Sequence, residues 1–142
     1  MTRKQMPNIT AAELRVLKAL WRLESGTVRD VKEGLESEGG EPPAYTTVMT
    51  LMSQLAQKGV LAVDRLRQPF VYTPRLRREQ VLSERLRDFL STVFDGQAGE
   101  LVLRLVEQAD LSEEDLRRIE ARIEKHQRSR DEDAGDRSEG RR

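Results

Sequence analysis

The segment from Tyr45 to Lys58 combines residue types that could form a hydrogen-bonding surface along one side of a helix. On a wheel of 3.6 residues per turn, its large apolar residues fall at i, i+3, i+4 and i+7, the pattern of a helix packed on a core: Val48, Leu51, Met52 and Leu55. The opposite side carries short hydroxyl and amide side chains: Thr46, Thr50, Ser53 and Gln57, flanked by Thr47 and Gln54. No acidic residue lies between Tyr45 and Lys58, so this side would not repel an anionic polymer.

Short polar side chains allow a helix to lie deep in the major groove of DNA. Hydroxyl groups can bond to phosphates or base edges, and threonine methyl groups can contact the methyl group of thymine. Free amides at the start of a helix add a site for a phosphate. This segment is therefore predicted to be a recognition helix, although the helix taken alone fits a plain solvated surface equally well.

A second polar group follows at residues 60–74, which are predicted to form a β-hairpin. A strand starting at Val60 continues to Arg67, a turn is formed at Gln68-Pro69, and the strand beginning with Phe70 returns. Two outward arginines and a glutamine at a tight turn favour contact with phosphates or the minor groove: Arg65, Arg67 and Gln68. The alternative is an exposed edge strand protected by charge.

The elements that position these residues are indicated by three capping boxes of the form [ST]-x-x-[DE]: Thr10 with Glu13, Thr27 with Asp30, and Ser112 with Asp115. The predicted helices of the first part span residues 11–23, 28–37 and 45–58. Helix, helix, helix and hairpin in this order predict a winged helix-turn-helix domain over residues 1–75. Trp21 is expected to fill its core.

Residues 76–126 are predicted to form three further helices with more apolar surface than they can cover themselves. Such a surface marks an interface, so we expect a homodimer held by this domain. The predicted dimerisation residues are Leu82, Leu86, Phe89, Leu90, Val93, Phe94, Val102, Leu105, Leu116, Ile119 and Ile123. Residues 127–142 contain Ala134 as their only hydrophobic residue, and this tail is expected to be disordered. The fold class is thus mainly α with a small β-wing.

Charge and composition exclude several classes of protein. The formal net charge is zero, but residues 1–75 hold 11 Lys and Arg against 8 Asp and Glu, and residues 76–126 hold 9 against 12. A mildly basic part joined to an acidic one fits a DNA-contacting head. The chain has no cysteine and one histidine, His126, so neither a metal site nor another cofactor is expected. No catalytic motif, membrane-spanning run or signal peptide is found, which predicts a cytoplasmic protein that is not an enzyme.

Three stretches resemble the penicillinase-repressor family of BlaI/MecI type: TAAELRVLKALW from residue 10, AYTTVMTLMSQLAQKGVL from residue 44, and FVYTP from residue 70. The similarity covers about residues 7–125. It implies a dimeric repressor that binds palindromic double-stranded operator DNA and is inactivated when a transmembrane sensor-metalloprotease cleaves its dimerisation domain. The family's recognition-helix contacts fall here on Tyr45, Thr46, Thr47 and Thr50.

The chain departs from the family at two points. The copper-responsive branch has a cysteine-rich metal site, which a chain without cysteine cannot form. The family's cleavage site falls within LVLRLVEQ, residues 101–108, where the sequence does not identify the bond that is cut.

Two other functions are weighed against a repressor. A small-molecule-responsive regulator of MarR type would place dimerisation helices before the winged domain and would need a ligand pocket, for which the sequence indicates no aromatic lining. A winged-helix protein–protein adaptor would bury the Thr46, Thr50 and Ser53 side of the third helix against a partner.

Overall fold

The computed structural model describes residues 6–139, which form six helices and one two-stranded antiparallel sheet. The helices are α1 (Ala11–Leu23), α2 (Val28–Glu36), α3 (Tyr45–Gln57), α4 (Arg78–Phe94), α5 (Ala98–Gln108) and α6 (Glu113–Glu139), and the strands are β1 (Leu61–Asp64) and β2 (Val71–Pro74). This order confirms the predicted fold class, a mainly α protein with a small β-wing.

The three predicted capping boxes are all formed. At the start of α1, the Thr10 hydroxyl accepts from the Glu13 amide at 3.1 Å, and the Glu13 carboxylate accepts from the Thr10 amide at 2.9 Å. The reciprocal pairs of Thr27 with Asp30 and of Ser112 with Asp115 open α2 and α6. Each box satisfies amides that the helix itself leaves unpaired, which is why these helices begin where the sequence predicts.

One hydrophobic core joins α1, α2, α3, the sheet and the start of α4. Its buried residues are Ile9, Val16, Leu17, Ala19, Leu20, Val28, Val31, Leu35, Val48, Met52, Leu55, Val60, Leu61, Tyr72 and Val81. Trp21 lies at the margin of this core and is only partly buried, in contrast to its predicted place inside. Its indole Nε1 donates to the Leu76 carbonyl at 3.0 Å, so one edge of the ring must stay close to polar backbone.

The hairpin pairs Leu61 with Pro74 and Asp64 with Val71 in antiparallel register. β1 ends at Asp64, earlier than the predicted Arg67, because the Asp64 side chain accepts from the Leu66 amide at 3.1 Å and turns the chain. A single bridge extends the sheet: Gly26 and Tyr72 exchange two backbone hydrogen bonds of 3.0 and 2.8 Å. The turn before α2 is thereby attached to the wing.

The described residues form two compact units that divide between Phe89 and Leu90, inside α4. The predicted boundary at residue 75 falls earlier. Residues 78–89 of α4 belong to the N-terminal unit because Val81 is fully buried in its core and the Arg85 guanidinium donates to the Ile9 carbonyl.

Helix α6 runs to Glu139, so residues 127–139 are helical where the sequence predicts a disordered tail. These residues are exposed as far as Arg137, so packing on a core does not hold them in a helix. The ion pair of Glu124 with Arg128, at 3.7 Å, reaches the first turn of this segment, and a similar pair joins Glu113 to Arg117 at 3.6 Å near the start of α6. The few apolar residues of this segment therefore did not exclude a helix.

Candidate nucleic-acid interface

Helix α3 is anchored by one side and exposed on the other. Val48, Met52 and Leu55 are completely buried, and Leu51 is partly buried at the edge of the core. The polar residues singled out in the sequence are exposed: Tyr45, Thr46, Thr47, Thr50, Ser53, Gln54 and Gln57. The core contact therefore presents the polar side of α3 to solvent.

The start of α3 differs from the starts of α1, α2 and α6. Its N-cap residue is Ala44, and no side chain caps the helix. Its first turn contains no acidic residue. Amides at an uncapped helix start, together with the partial positive charge of the helix dipole, suit an anion such as a phosphate.

The Thr50 side chain is held in a defined orientation. Its hydroxyl donates to the Thr46 carbonyl, one turn earlier, at 2.9 Å. The hydroxyl proton is thus engaged within the helix, and its oxygen can still accept a hydrogen bond. At this position α3 offers an acceptor and a methyl group in place of a freely rotating hydroxyl.

The exposed side of α3 lines two concave surfaces. The smaller, of about 250 Å³, is lined by Thr46, Thr47, Thr50, Leu51 and Gln54. The larger is a cleft of about 540 Å³ between α3, the start of α2 and the hairpin, and we call it the wing cleft. It is lined by Thr27, Val28, Arg29, Tyr45, Met49, Ser53, Gln68, Pro69, Phe70 and Tyr72.

The wing cleft brings together Tyr45, Ser53 and Gln68 of the predicted site and adds residues that the sequence did not indicate. Arg29, Met49 and Phe70 were missed because their approach to α3 depends on packing between separate elements. For Met49, which follows the buried Val48, the position on the helical wheel of α3 was the only sequence feature that could have indicated a place in the site. Tyr45, Phe70 and Tyr72 also give the wing cleft an aromatic lining that the sequence did not indicate.

The tip of the hairpin carries the two predicted arginines outside both concave surfaces. Arg65 and Arg67 are exposed, and the Arg67 Nε lies 3.8 Å from Asp64 Oδ2. Between them stands Leu66, whose side chain is 98% exposed. Two guanidinium groups at a projecting turn can contact the phosphates on either side of a groove.

The end of α3 is tied to the start of α1 by a buried carboxylate. The Lys58 ammonium donates to Glu13 Oε1 at 2.6 Å and to the Asn8 carbonyl at 2.9 Å. Burial raises the pKa of Glu13, but hydrogen bonds from Lys58 and Thr10 and the charge of Lys58 outweigh this effect, so the pKa lies below its ordinary value of 4.5. Glu13 Oε2 has no hydrogen-bond partner among the described residues.

Beyond residue 89, apolar side chains are displayed on the surface. α5 has no buried residue, and its apolar side chains are about half exposed: Val102 at 53%, Leu105 at 49% and Val106 at 55%. Of the predicted dimerisation residues, Leu86, Phe89, Val93, Val102, Leu105, Leu116, Ile119 and Ile123 are exposed, and Leu82, Leu90 and Phe94 are partly buried.

Within residues 6–139, no cluster of histidine and acidic side chains is arranged to hold a metal ion. None of the helices described there is long and apolar enough to cross a membrane. His126 is exposed on α6.

Comparison with known proteins gives consistent matches. The sequence profile of the family described as Penicillinase repressor matches residues 9–125. The penicillinase repressor of Bacillus licheniformis is 28% identical over 123 residues, which cover 87% of this chain and 94% of the relative. The transcriptional regulator BlaI of Mycobacterium tuberculosis is 34% identical over 115 residues, covering 79% of this chain and 82% of the relative.

A solved structure, that of the Bacillus licheniformis BlaI monomeric form in complex with the blaP half-operator, is also similar. Its TM-score to this chain is 0.44 and its sequence identity is 29%. The matched residues cover 53% of this chain and 89% of the BlaI chain.

Proposed function

This chain belongs to the penicillinase repressor family, and from this we propose that it binds a palindromic double-stranded operator as a homodimer. It is a DNA-binding transcriptional repressor and not an enzyme. Helix α3 enters the major groove of each half-site, and the hairpin contacts the adjoining backbone. The residues assigned to DNA are Tyr45, Thr46, Thr47, Thr50, Ser53, Arg65, Arg67 and Gln68.

The observation that carries this proposal is the exposed side of α3. It has hydroxyl and amide groups, no acidic side chain and an uncapped start, while its opposite side is held in the core by Val48, Met52 and Leu55. A helix with these properties can approach a phosphate-lined groove closely without electrostatic repulsion.

Dimerisation is supported by the exposed apolar residues of α4, α5 and α6. Leu105, Ile119 and Ile123 are each between 42% and 51% exposed, although leucine and isoleucine usually lie inside folded proteins. A second copy could cover these residues in a two-fold interface and place one α3 helix on each half-site.

Inactivation is proposed to follow the route that the family implies, in which a transmembrane sensor-metalloprotease cuts between Leu101 and Gln108. α5 contributes no buried residue to the fold of its own chain, so cutting the helix in this segment would leave the hydrophobic core of the N-terminal unit intact.

The test is a titration of duplex DNA from the region upstream of the chain's own gene, followed by fluorescence anisotropy. Thr46→Ala and Thr50→Ala should weaken binding to this duplex more than to random DNA, because they remove contacts near base edges. Arg65→Ala and Arg67→Ala should weaken both, and each should reduce the salt slope by about one unit per lost phosphate contact, which is about two units for a dimer on both half-sites.

Thr73→Ala serves as the control, since Thr73 is an exposed threonine on β2 that lines neither concave surface of α3. Equal and salt-independent losses from Thr46→Ala, Thr50→Ala and the two arginine variants would contradict the assignment of these residues to DNA.

A further inference from the structure

Leu66 is the most exposed of the large apolar side chains that the structure describes. It is 98% exposed, whereas the next value in this group is 63%, for Leu103. A side chain that contacts almost nothing does not stabilise the folded chain. At the tip of the hairpin, between Arg65 and Arg67, it is free to contact a partner outside the chain.

The turn that carries Leu66 is held in place. Asp64 Oδ1 accepts from the Leu66 amide at 3.1 Å, and Asp64 Oδ2 lies 3.8 Å from the Arg67 Nε. One carboxylate thus holds the backbone at Leu66 and lies near the arginine after it. A restrained turn loses less conformational freedom on binding than a flexible loop would.

The hairpin lies beside the polar side of α3. Its returning limb, Gln68 to Phe70, lines the wing cleft together with Tyr45, Met49 and Ser53. When α3 occupies a major groove, the hairpin therefore meets the neighbouring backbone, beyond which lies a minor groove. Phosphates border both sides of that groove, and its floor offers deoxyribose and base edges that an apolar side chain can contact.

We propose that Leu66 enters the minor groove beside each half-site and acts as an apolar wedge against one base step. Arg65 and Arg67 bind the phosphates that border the groove. The proposal rests on the proposed binding of DNA and deepens it. Pyrimidine–purine steps are the easiest to unstack, so Leu66 adds a preference for such a step at a fixed distance outside the sequence that α3 contacts.

The test uses the full chain and a pool of duplexes with randomised sequence, from which bound duplexes are recovered and sequenced. Wild type should enrich a palindromic core with a pyrimidine–purine step outside it. Leu66→Ala should enrich the same core without that step, and Leu66→Met, which keeps an apolar side chain of similar size, should retain the step. Leu23→Ala is the matched control, because Leu23 is an exposed leucine of α1 that lies outside the wing cleft.

On the duplex that wild type enriches most, Leu66→Ala should bind about a hundredfold more weakly, or about tenfold for each half-site, since most of a leucine contact is lost at each. Its salt dependence should be unchanged, because no charge is removed. An unaltered flanking preference in Leu66→Ala, or a loss of the core preference along with it, would overturn the role of Leu66. If wild type itself enriched no palindromic core, the proposed DNA recognition would fail. This result is distinct from the two Leu66→Ala outcomes that would overturn the role of Leu66.

Discussion

At the scale of single residues, the contact between Glu13 and Lys58 joins the start of α1 to the end of α3. The Glu13 side chain is fully buried, and the Lys58 side chain is 33% exposed. Glu13 also caps α1 through Thr10, so one carboxylate serves a local and a long-range contact. The start of α1 and the end of α3 are therefore joined through one charged pair.

Replacing Lys58 with Met should destabilise the N-terminal unit by about 2 kcal/mol, because a buried carboxylate loses its strongest partner. Urea unfolding followed by circular dichroism measures this loss. Lys18→Met, at an exposed lysine of α1, should change the free energy of unfolding by less than about 0.5 kcal/mol. Equal effects from the two variants would show that the Glu13 contact contributes nothing to stability.

The lowered pKa of Glu13 predicts a dependence of stability on pH. Folding favours the ionised carboxylate, so this contribution is complete above the unfolded-state value, near 4.5, and is lost as the pH falls through the lower folded-state value. The free energy of unfolding should therefore decrease below about pH 4.5. In Glu13→Gln, the part of this decrease in the free energy of unfolding that comes from Glu13 should be absent. A pH profile identical to that of wild type would instead assign the decrease to other carboxylates.

At the scale of elements, α4, α5 and α6 display apolar residues that a second copy is proposed to cover. Leu105→Asp and Ile119→Asp should each convert the full chain from dimer to monomer, because each would bury a carboxylate in the interface. Sedimentation equilibrium measures the mass. Leu23→Asp, at an exposed leucine of the N-terminal unit, should leave the dimer intact.

The N-terminal unit should be monomeric when it is made alone. Val81 and Arg85 of α4 contact the rest of the N-terminal unit. The fragment should therefore end at Phe89, where this compact unit ends, rather than at residue 75. A fragment of residues 1–89 that sedimented as a dimer would place the interface in the N-terminal unit and contradict the proposed architecture.

At the scale of the whole molecule, inactivation by cleavage relies on the dimer linking two N-terminal units. Binding of the first N-terminal unit raises the effective concentration of the second at its half-site, which increases the apparent affinity by roughly 10²–10⁴. Cleavage within α5 would remove that gain without touching the contacts of α3. The N-terminal unit itself would stay folded, because α5 contributes no buried residue.

A fragment ending at Leu103 should therefore bind a full operator with an affinity about 10²–10⁴ lower than that of the intact chain. Its affinity for an isolated half-site should match that of one head of the intact chain. Titration of both duplexes measures the two constants. Should the fragment bind the full operator as tightly as the intact chain, cleavage could not be the switch, and a ligand or second protein would have to release the DNA.

The sequence alone determined the features that depend on short separations along the chain. Each capping box joins residues three positions apart, so spacing and residue type suffice to predict its hydrogen bonds and the start of its helix. The buried and exposed sides of α3 follow in the same way from the helical period. The order of these elements then predicts the fold class.

Only the tertiary structure decided the contacts between residues far apart in the chain. Lys58 binds Glu13 across 45 positions, and Trp21 binds the Leu76 carbonyl across 55. Arg29, Met49 and Phe70 line the same wing cleft because three elements pack around one core. No residue type or spacing specifies such a partner, since it depends on how the elements are oriented after the whole apolar surface is buried.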